Sequence, residues 1–357
     1  MKVLYDTILK AKYTGRPNRF VVTLDLNGES VLAHLPNPGR MWELLFTGVT
    51  MYIVPHDKPD AKTKYRVVGI ERDGVVIMLD TNYSNDVAQH LIENKLIPGW
   101  EEWRIVRREY TVKLHGTSSR FDLLLTNDKD DEFLLEVKSC TLFSKTGAMF
   151  PDAVTERGRK HIEELAAMHD KGIRTGLLIL AHWNRAEWFL PDYHTDPAFA
   201  EAFRRCAPRL DWKAFSLSWD ETFTYPEPGK LLSYPETLLI EENKDAGDYF
   251  LVLELAEDRD ITVGSLGRIH FPKGFYVYVG SAKKNLMKRL ERHKRKRKGM
   301  HWHIDYFRNE AQVLAALPVR TQTDLEHLMA RDLIKAADWF IPHFGATDCT
   351  EDEKPAS

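Results

Sequence analysis

Three ionisable side chains occur in or beside apolar runs of the segment SSRFDLLLTNDKDDEFLLEVKSCTLF, residues 118–143. Asp122 lies inside the first run, and Glu136 and Lys138 stand at the end of the second. Both runs have the length and the Leu, Phe and Val content of short buried strands. Because an unpaired charge is costly in such a position, these side chains need partners or a bound metal ion.

The two carboxylates converge on one side of a sheet if the strands pair through the loop TNDKDDE. Carboxylate oxygens suit Mg²⁺ or Mn²⁺, and both ions also accept substrate phosphate. Lys138 lies two residues beyond Glu136, hence on the same face of a strand, where it could hold water or neutralise a phosphate. Asp122, Glu136 and Lys138 therefore predict metal-dependent hydrolysis of a phosphodiester. The alternative is a surface ion pair of Glu136 with Lys138 beside a strand-end Asp.

The elements that would carry these residues change in character along the chain. Between residues 18 and 80, short alternating segments separated by turn formers predict a small all-β barrel. The stretch LPNPGRMWELL interrupts them and predicts a turn and a short helix, with Arg40 on an exposed loop. The aromatic residues Trp42, Tyr52 and Tyr65 are interpreted as core residues of the barrel, with stacking against nucleic-acid bases as the alternative.

From about residue 83, the order helix, three strands, helix, strand predicts an α/β layer fold. The second of these helices is expected to start at Pro151 and Asp152 and to end at Gly172. We interpret Asp152 as its N-cap, with a further metal ligand as the alternative.

Composition narrows the class of protein further. The 357 residues are 43% hydrophobic and 29% charged, which predicts a globular protein of two or three domains. The formal net charge of −3 gives no indication of an anionic partner. Three separate cysteines indicate small buried residues in a reducing compartment. No apolar run reaches about 18 residues, and the N-terminus lacks a signal-peptide core, so a cytoplasmic location without a membrane partner is expected.

The motifs of the first 225 residues resemble a known family. SSRFDLLL followed by EFLLEVKS is similar to the D…ExK core of the PD-(D/E)XK nuclease fold. With AHLPNPGRMWELL and MFPDAVTERGRKHIEEL, the segment 15–225 resembles the sugar fermentation stimulation protein A family. The resemblance implies an OB-like barrel joined to a nuclease-fold domain that binds DNA. It also implies that Asp122 and Glu136 are metal ligands and Lys138 the catalytic lysine.

Basic side chains near these motifs are candidates for nucleic-acid contacts. In the helical segment TERGRKH, Arg157, Lys160 and His161 are spaced to share one face, which could bind phosphate or remain a solvated surface. Arg40 and Arg120 are further phosphate-contact candidates on predicted loops. An OB-like barrel would favour single strands or duplex ends.

A second constellation follows a Pro- and Glu-rich stretch, residues 226–246, that is predicted to be a linker. Five residues of the later segment could again act on a phosphodiester, with a metal ion on the glutamate and the arginine on the phosphate: Tyr249, Tyr278, Arg289, His293 and Glu326. Arg289 and His293 share a helical face because they are four residues apart. A Tyr base would need help from the metal or from Arg, since a free phenol has a pKa of about 10.

Residues 247–345 resemble a GIY-YIG nuclease domain, most specifically in YVGSA and LMKRLERH. They are also similar to a small prokaryotic branch that carries HWHIDY and a closing FGATDC. By position, Tyr249 and Tyr278 match the motif tyrosines, and Glu326 matches the metal ligand. The first motif, however, reads Gly-Asp-Tyr, and PHFGATDC replaces the late Pro-x-x-Asn segment. Nucleic-acid binding without cleavage therefore stays open for this domain.

The run KRLERHKRKRK, residues 288–298, carries eight positive side chains and predicts contacts with a nucleic-acid backbone, with a solvated surface as the alternative. Arg292, Lys294 and Arg295 are the contact candidates chosen from it. In the following HWHID, His301 and His303 alternate as on one face of a strand, where either a metal site or a structural role is possible.

The chain is therefore predicted to be a multi-domain α+β protein. Residues 1–82 form an OB-like β-barrel, 83–225 a PD-(D/E)XK-like α/β domain and 247–345 a GIY-YIG-like α/β domain, with a disordered tail over 346–357. The predicted function is a nuclease using Mg²⁺ or Mn²⁺ on DNA, single-stranded or structured, with RNA left open. The alternative is a non-catalytic DNA-binding regulator of sugar-metabolism genes.

Overall fold

The computed structural model describes residues 4–56, 61–114, 117–296, 299–342 and 344. Arg297, Lys298, the end of the FGATDC motif and the predicted tail lie outside the described residues. The chain divides into two compact units, Met1–Glu236 and Thr237–Ser357. None of the helices in the described ranges combines the length and apolar character needed to cross a membrane.

The first unit begins with a closed β-barrel. Strands β1 to β5 follow the order β3-β2-β1-β4-β5, and a parallel pairing of β3 with β5 closes the ring. Buried Val22 and Leu24 alternate with more exposed residues along β2, so this side of the strand faces the barrel interior. The OB-like barrel is thus confirmed. The strands are β1 Leu9–Asn18, β2 Val21–Leu26, β3 Glu29–His34, β4 Thr50–Pro55, β5 Tyr65–Arg72 and β6 Val75–Met78, which pairs antiparallel with β5.

The segment 35–45 forms no helix, so that prediction was wrong. A turn covers residues 42–44, and the backbone enters it with Met41 in the left-handed region at φ 50°. Pro36 and Pro38 also lack the N–H groups that a helix uses. Arg40 is half-buried in this loop and not exposed as predicted.

The rest of the first unit is a mixed sheet with helices on it. Its order is β15-β14-β12-β9-β8-β7, in which β12 is parallel to β9 and β14 and the other neighbours are antiparallel. The α/β prediction is confirmed. The elements are α1 Ser84–Glu93, β7 Arg104–Leu114, β8 Thr117–Thr126, β9 Glu132–Cys140, β10 Leu142–Phe143, β11 Gly147–Phe150, α2 Glu156–His169, β12 Arg174–Ala181, β13 Trp188–Pro191, α3 Pro197–Cys206, β14 Asp211–Ser218 and β15 Glu227–Leu231.

The start of α2 differs from the sequence prediction. Thr155 is the N-cap, because its Oγ1 accepts a hydrogen bond from the N–H of Gly158 at 3.0 Å. Asp152 is not the cap: its Oδ2 accepts a hydrogen bond from the N–H of Met41 at 2.7 Å. Asp152 was expected to begin the helix, but its carboxylate instead binds the loop that follows β3 of the barrel.

The barrel and the mixed sheet share their hydrophobic cores. One buried cluster joins Val22 and Ala33 of the barrel to Phe121 and Ile179 of the sheet. A second joins Val54 of the barrel to α1 and the other face of the sheet. Residues 1–82 and 83–225, distinguished by their sequence patterns, are thus continuous in packing.

The second unit is built on an antiparallel sheet of order β19-β16-β20 with its own core. The stretch predicted as a linker contains β15, which pairs with β14 in the first unit, and α4, which begins at Glu236. The elements are α4 Glu236–Glu242, β16 Gly247–Leu255, β17 Arg259–Thr262, β18 Arg268–Phe271, β19 Gly274–Ala282, α5 Leu286–Lys294, α6 His303–Glu310, β20 Gln312–Arg320 and α7 Glu326–Ala336.

Candidate active site

Neighbouring strands bring Asp122 and Glu136 together. The antiparallel pairing of β8 with β9 runs from Thr126 and Glu132 to Leu123 and Leu135, so the next residues, Asp122 and Glu136, lie opposite each other. At this point the Asp122 side chain, rather than its backbone, makes the hydrogen bond to β9. Its Oδ2 accepts a hydrogen bond from the backbone N–H of Val137 at 2.8 Å.

Glu136 is the most deeply buried member of the site, with 3% of its side chain exposed. Its Oε1 accepts hydrogen bonds from Lys138 Nζ and from His161 Nδ1, the latter at 2.6 Å. Burial raises the pKa of Glu136, but His161 and Lys138 outweigh it and hold the pKa below its ordinary value. The other oxygen, Oε2, is buried and has no hydrogen-bond partner among the described residues.

Asp122 is held by backbone and amide donors. Besides the Val137 bond, its Oδ1 accepts a hydrogen bond from Asn85 Nδ2 at 3.1 Å. Burial and then the charge of Glu136 raise the pKa of Asp122, while Lys138 opposes the rise. Asn85, in the first turn of α1, was missed in the sequence, where the only signal was its place at the start of a predicted helix.

Helix α2 supplies the histidine of the site. His161 reaches Glu136 with Nδ1, and its Nε2 accepts a long hydrogen bond of 3.5 Å from Arg157 Nε. That arrangement fits the neutral imidazole with its proton on Nδ1. Arg157 thus shares the face of His161 as expected, while Lys160 is exposed and pairs with Glu164 at 3.5 Å.

The donor set fits a hard divalent cation. Carboxylates offer oxygen donors, and the buried Oε2 of Glu136 has no hydrogen-bond partner among the described residues. In the described part of the chain, no group of three or more His, Cys, Asp or Glu side chains is placed to share a metal ion. Two carboxylates are nevertheless enough for Mg²⁺, which keeps several waters and takes substrate phosphate.

Arg40 and Arg120, which were predicted to contact phosphate from loops, both lie close to other groups of the protein. Arg40 Nε donates to the carbonyl of Asp152 at 3.1 Å, and its guanidinium lies 5.1 Å from the ring centroid of Trp42. Trp42 itself is half-exposed, so its interpretation as a core residue was wrong, whereas Tyr52 is buried. Arg120 lies on β8 and not on a loop; it is exposed and 3.6 Å from Glu109.

The second unit brings together the five residues of the second constellation. The Tyr249 hydroxyl is 3.0 Å from His293 Nε2, and the Tyr249 and Tyr278 rings are 6.3 Å apart. Burial raises the pKa of Tyr249 to about 12, although the nearby Arg289 guanidinium opposes the rise. Glu326, the first residue of α7, is close enough that its charge adds to the raised pKa of both tyrosines.

Part of the basic run serves the fold. Arg292 donates to both carboxylate oxygens of Asp305, at 3.0 and 2.8 Å, so it is not the free phosphate contact that was predicted. Lys294 pairs with Glu291 at 2.6 Å, and Arg295 is exposed. His303 begins α6, so the predicted strand through HWHID was wrong. The helix forms because Asp305 accepts hydrogen bonds from the N–H groups ahead of it.

The fold and this site define a class of protein with an OB-like barrel and a mixed α/β domain that presents paired carboxylates. Family models agree: residues 15–79 match the SfsA N-terminal OB domain, and residues 82–221 the sugar fermentation stimulation protein RE domain. The chain belongs to the sugar fermentation stimulation protein family. Residues 248–354 match a domain of unknown function, DUF123, so the resemblance to GIY-YIG stays a prediction.

The matches to individual relatives extend over most of the length of each relative. The sugar fermentation stimulation protein homolog of Methanosphaera stadtmanae is 41% identical over 203 residues, which are 56% of this chain and 82% of the relative. The homolog of Clostridium acetobutylicum is 37% identical over 212 residues, 59% of this chain and 90% of the relative. The structure of Pyrococcus furiosus SfsA in complex with Ca²⁺ superposes with a TM-score of 0.58 and 28% identity, covering 66% of this chain and 99% of that one.

Proposed function

We propose that the first unit is a divalent-metal-dependent nuclease that hydrolyses phosphodiester bonds in DNA. The observation that carries the proposal is the buried Oε2 of Glu136, which has no partner among the described residues although Oε1 has two. A carboxylate of this kind is costly in a protein that uses it only for an ion pair. Binding to a polyanion would not benefit from it either.

Asp122 and Glu136 would hold the metal ion, and Mg²⁺ or Mn²⁺ suits their oxygen donors. When bound, the ion would supply a Lewis acid for the phosphoryl oxygen and lower the pKa of a bound water. The Ca²⁺ complex of the Pyrococcus furiosus protein supports a divalent cation in this family. Asn85 and the Val137 N–H fix the orientation of the Asp122 carboxylate, which limits the rotation of one ligand.

Among the described residues of this site, Lys138 is best suited to meet the phosphate. One-fifth of its side chain is exposed, so Nζ can be reached from solvent while it contacts Glu136. From there it can donate to a phosphate oxygen or to the attacking water, and stabilise the charge that develops. His161 would keep Glu136 ionised and oriented through Nδ1, and Arg157, which donates to His161, would be available for a phosphate contact.

For the second unit we propose nucleic-acid binding by a GIY-YIG-like domain, with Glu326 as its metal-ligand candidate. Burial raises the pKa of Tyr249 to about 12, so its phenol stays protonated near neutral pH while it shares a hydrogen bond with His293 Nε2. Arg295 and Lys288 are exposed on or beside α5, where they could contact the DNA backbone. In the first unit, Arg120 and Lys160 offer exposed charges for the same purpose.

The test is cleavage of labelled single-stranded, duplex and branched DNA with Mg²⁺, Mn²⁺ or EDTA. Wild type would be compared with Lys138→Ala and Glu326→Ala, and with Lys230→Ala and Glu310→Ala as surface controls of the same charge. We expect a metal-dependent product that Lys138→Ala loses and both controls keep. Loss in Glu326→Ala alone would move the chemistry to the second unit. Binding without cleavage in either metal would favour the regulatory alternative, with which the relatives' name, sugar fermentation stimulation, agrees.

A further inference from the structure

Two of the exposed aromatic side chains of the barrel, Phe20 and Trp42, each have an arginine over the ring. Phe20, in the turn between β1 and β2, is 46% exposed, and Trp42, in the loop after β3, is 49% exposed. The Arg19 guanidinium lies 5.8 Å from the Phe20 ring centroid, and that of Arg40 lies 5.1 Å from the Trp42 ring centroid. Such pairs combine an accessible π-face with a positive charge.

A third arginine fixes the two pairs relative to each other. Arg16 donates through Nη1 to the carbonyl of Arg40 at 2.8 Å, and through Nη2 to the carbonyls of Arg19 and Gly39 at 2.9 and 2.8 Å. A single half-buried guanidinium therefore ties the Phe20 turn to the Trp42 loop. We call Arg19, Phe20, Arg40 and Trp42 the aromatic platform.

The loop of Trp42 is also tied to the elements that carry the candidate active site. Asn37 Nδ2 donates to Thr141 Oγ1 at 2.8 Å, directly after β9. Met41 N–H donates to Asp152 Oδ2 at 2.7 Å, shortly before α2. Thr141 is three residues beyond Lys138, which is about 10 Å along an extended chain. A strand of nucleic acid bound at Lys138 would need only a few nucleotides to reach this loop.

We propose that the aromatic platform stacks against unpaired bases of a single-stranded DNA segment on its way to the candidate active site. This rests on the proposed function, because it assumes that DNA is bound near Lys138. Exposed aromatic rings are sequence-tolerant stacking partners, and the flanking arginines suit the phosphates between successive bases. In a duplex the base faces are already covered by their neighbours, so the platform distinguishes single strands from duplexes.

The test measures binding of the full-length chain to a labelled single-stranded oligonucleotide and to its blunt duplex, by fluorescence anisotropy in EDTA. We expect Trp42→Ala to weaken single-strand binding about 5- to 150-fold, as removal of one stacked base does, and to leave duplex binding within about twofold. Phe20→Ala should act in the same direction. Phe275→Ala, which removes an exposed aromatic ring of the second unit, is the matched control and should change neither affinity.

The salt dependence separates stacking from charge. Trp42→Ala should keep the wild-type slope of log affinity against log salt concentration, because no phosphate contact is removed. Unchanged single-strand binding in the double variant Trp42→Ala/Phe20→Ala would overturn the platform, and so would an equal loss for the duplex. If that variant binds as wild type does while wild type cleaves DNA and Lys138→Ala does not, only this inference fails. If wild type neither binds nor cleaves DNA, the proposed function fails with it.

Discussion

Divalent cations should stabilise the first unit, and Glu136→Gln should abolish that effect. Glu136 is nearly inaccessible and faces a second carboxylate, Asp122, whose pKa it raises. A cation that binds only the folded state, at a free concentration one hundred times its dissociation constant, adds about 2.7 kcal/mol to the free energy of unfolding. For a domain of this size, each kcal/mol moves the melting temperature by about 2–4 °C, so the expected rise is about 5–11 °C.

The assay is thermal unfolding followed by near-UV circular dichroism, with Mg²⁺, Mn²⁺ or Ca²⁺ titrated into metal-free protein. Glu136→Gln keeps the size of the side chain and an acceptor oxygen, but it loses the charge that a cation would neutralise. Asp152→Asn is the matched control, since that carboxylate lies in the same unit and bonds the Met41 N–H. No rise in wild type with any of the three cations would refute the metal site, and so would an undiminished rise in Glu136→Gln.

Two further changes test the packing around charged and aromatic groups. Burial, reinforced by the charge of Asp152, raises the pKa of Glu43 to about 7 from 4.5. Between pH 4.5 and about 7 the folded state holds a proton that the unfolded chain releases, so the free energy of unfolding falls by about 3 kcal/mol as the pH rises through this range. Glu43→Gln should remove most of this fall, measured by urea unfolding at several pH values. An unchanged dependence of the unfolding free energy on pH in this variant would contradict the prediction. A Cβ on Gly280 would meet the Tyr249 ring at 2.6 Å, so Gly280→Ala should cost about 1–3 kcal/mol, measured by urea unfolding. Gly299→Ala, with nothing within 4 Å, should change little, and an equal loss in both variants would contradict the clash.

The sequence was sufficient for the strands that hold the first site. Runs such as Phe121–Leu125 are apolar enough to identify buried strands without tertiary information, and their antiparallel pairing places Asp122 opposite Glu136. The partners of these carboxylates could not be predicted as readily. Asn85 and His161 reach them from helices packed on the sheet, and the sequence does not determine the rotation of a helix on its neighbour.

The errors arose where a distant residue decides the local structure. Asp152 has the residue type of a helix cap, but it bonds the N–H of Met41, which lies 111 positions earlier. Arg292 belongs to a run that looks solvated, yet it is directed to the buried carboxylate of Asp305. In both cases a charged side chain satisfies backbone or side-chain groups that local periodicity cannot identify.

The shared core of the barrel and the mixed sheet constrains the order in which the protein can be made. Val22 and Ala33 are synthesised early, but part of the apolar surface that covers their cluster belongs to Phe121 and Ile179. The nascent barrel must therefore leave the ribosome with exposed apolar side chains, which are covered only when the later strands have been synthesised and have folded. Such long-range closure is slow, and it exposes surface to which chaperones or other chains can bind. A chain truncated after the barrel should consequently aggregate rather than persist as an independent module.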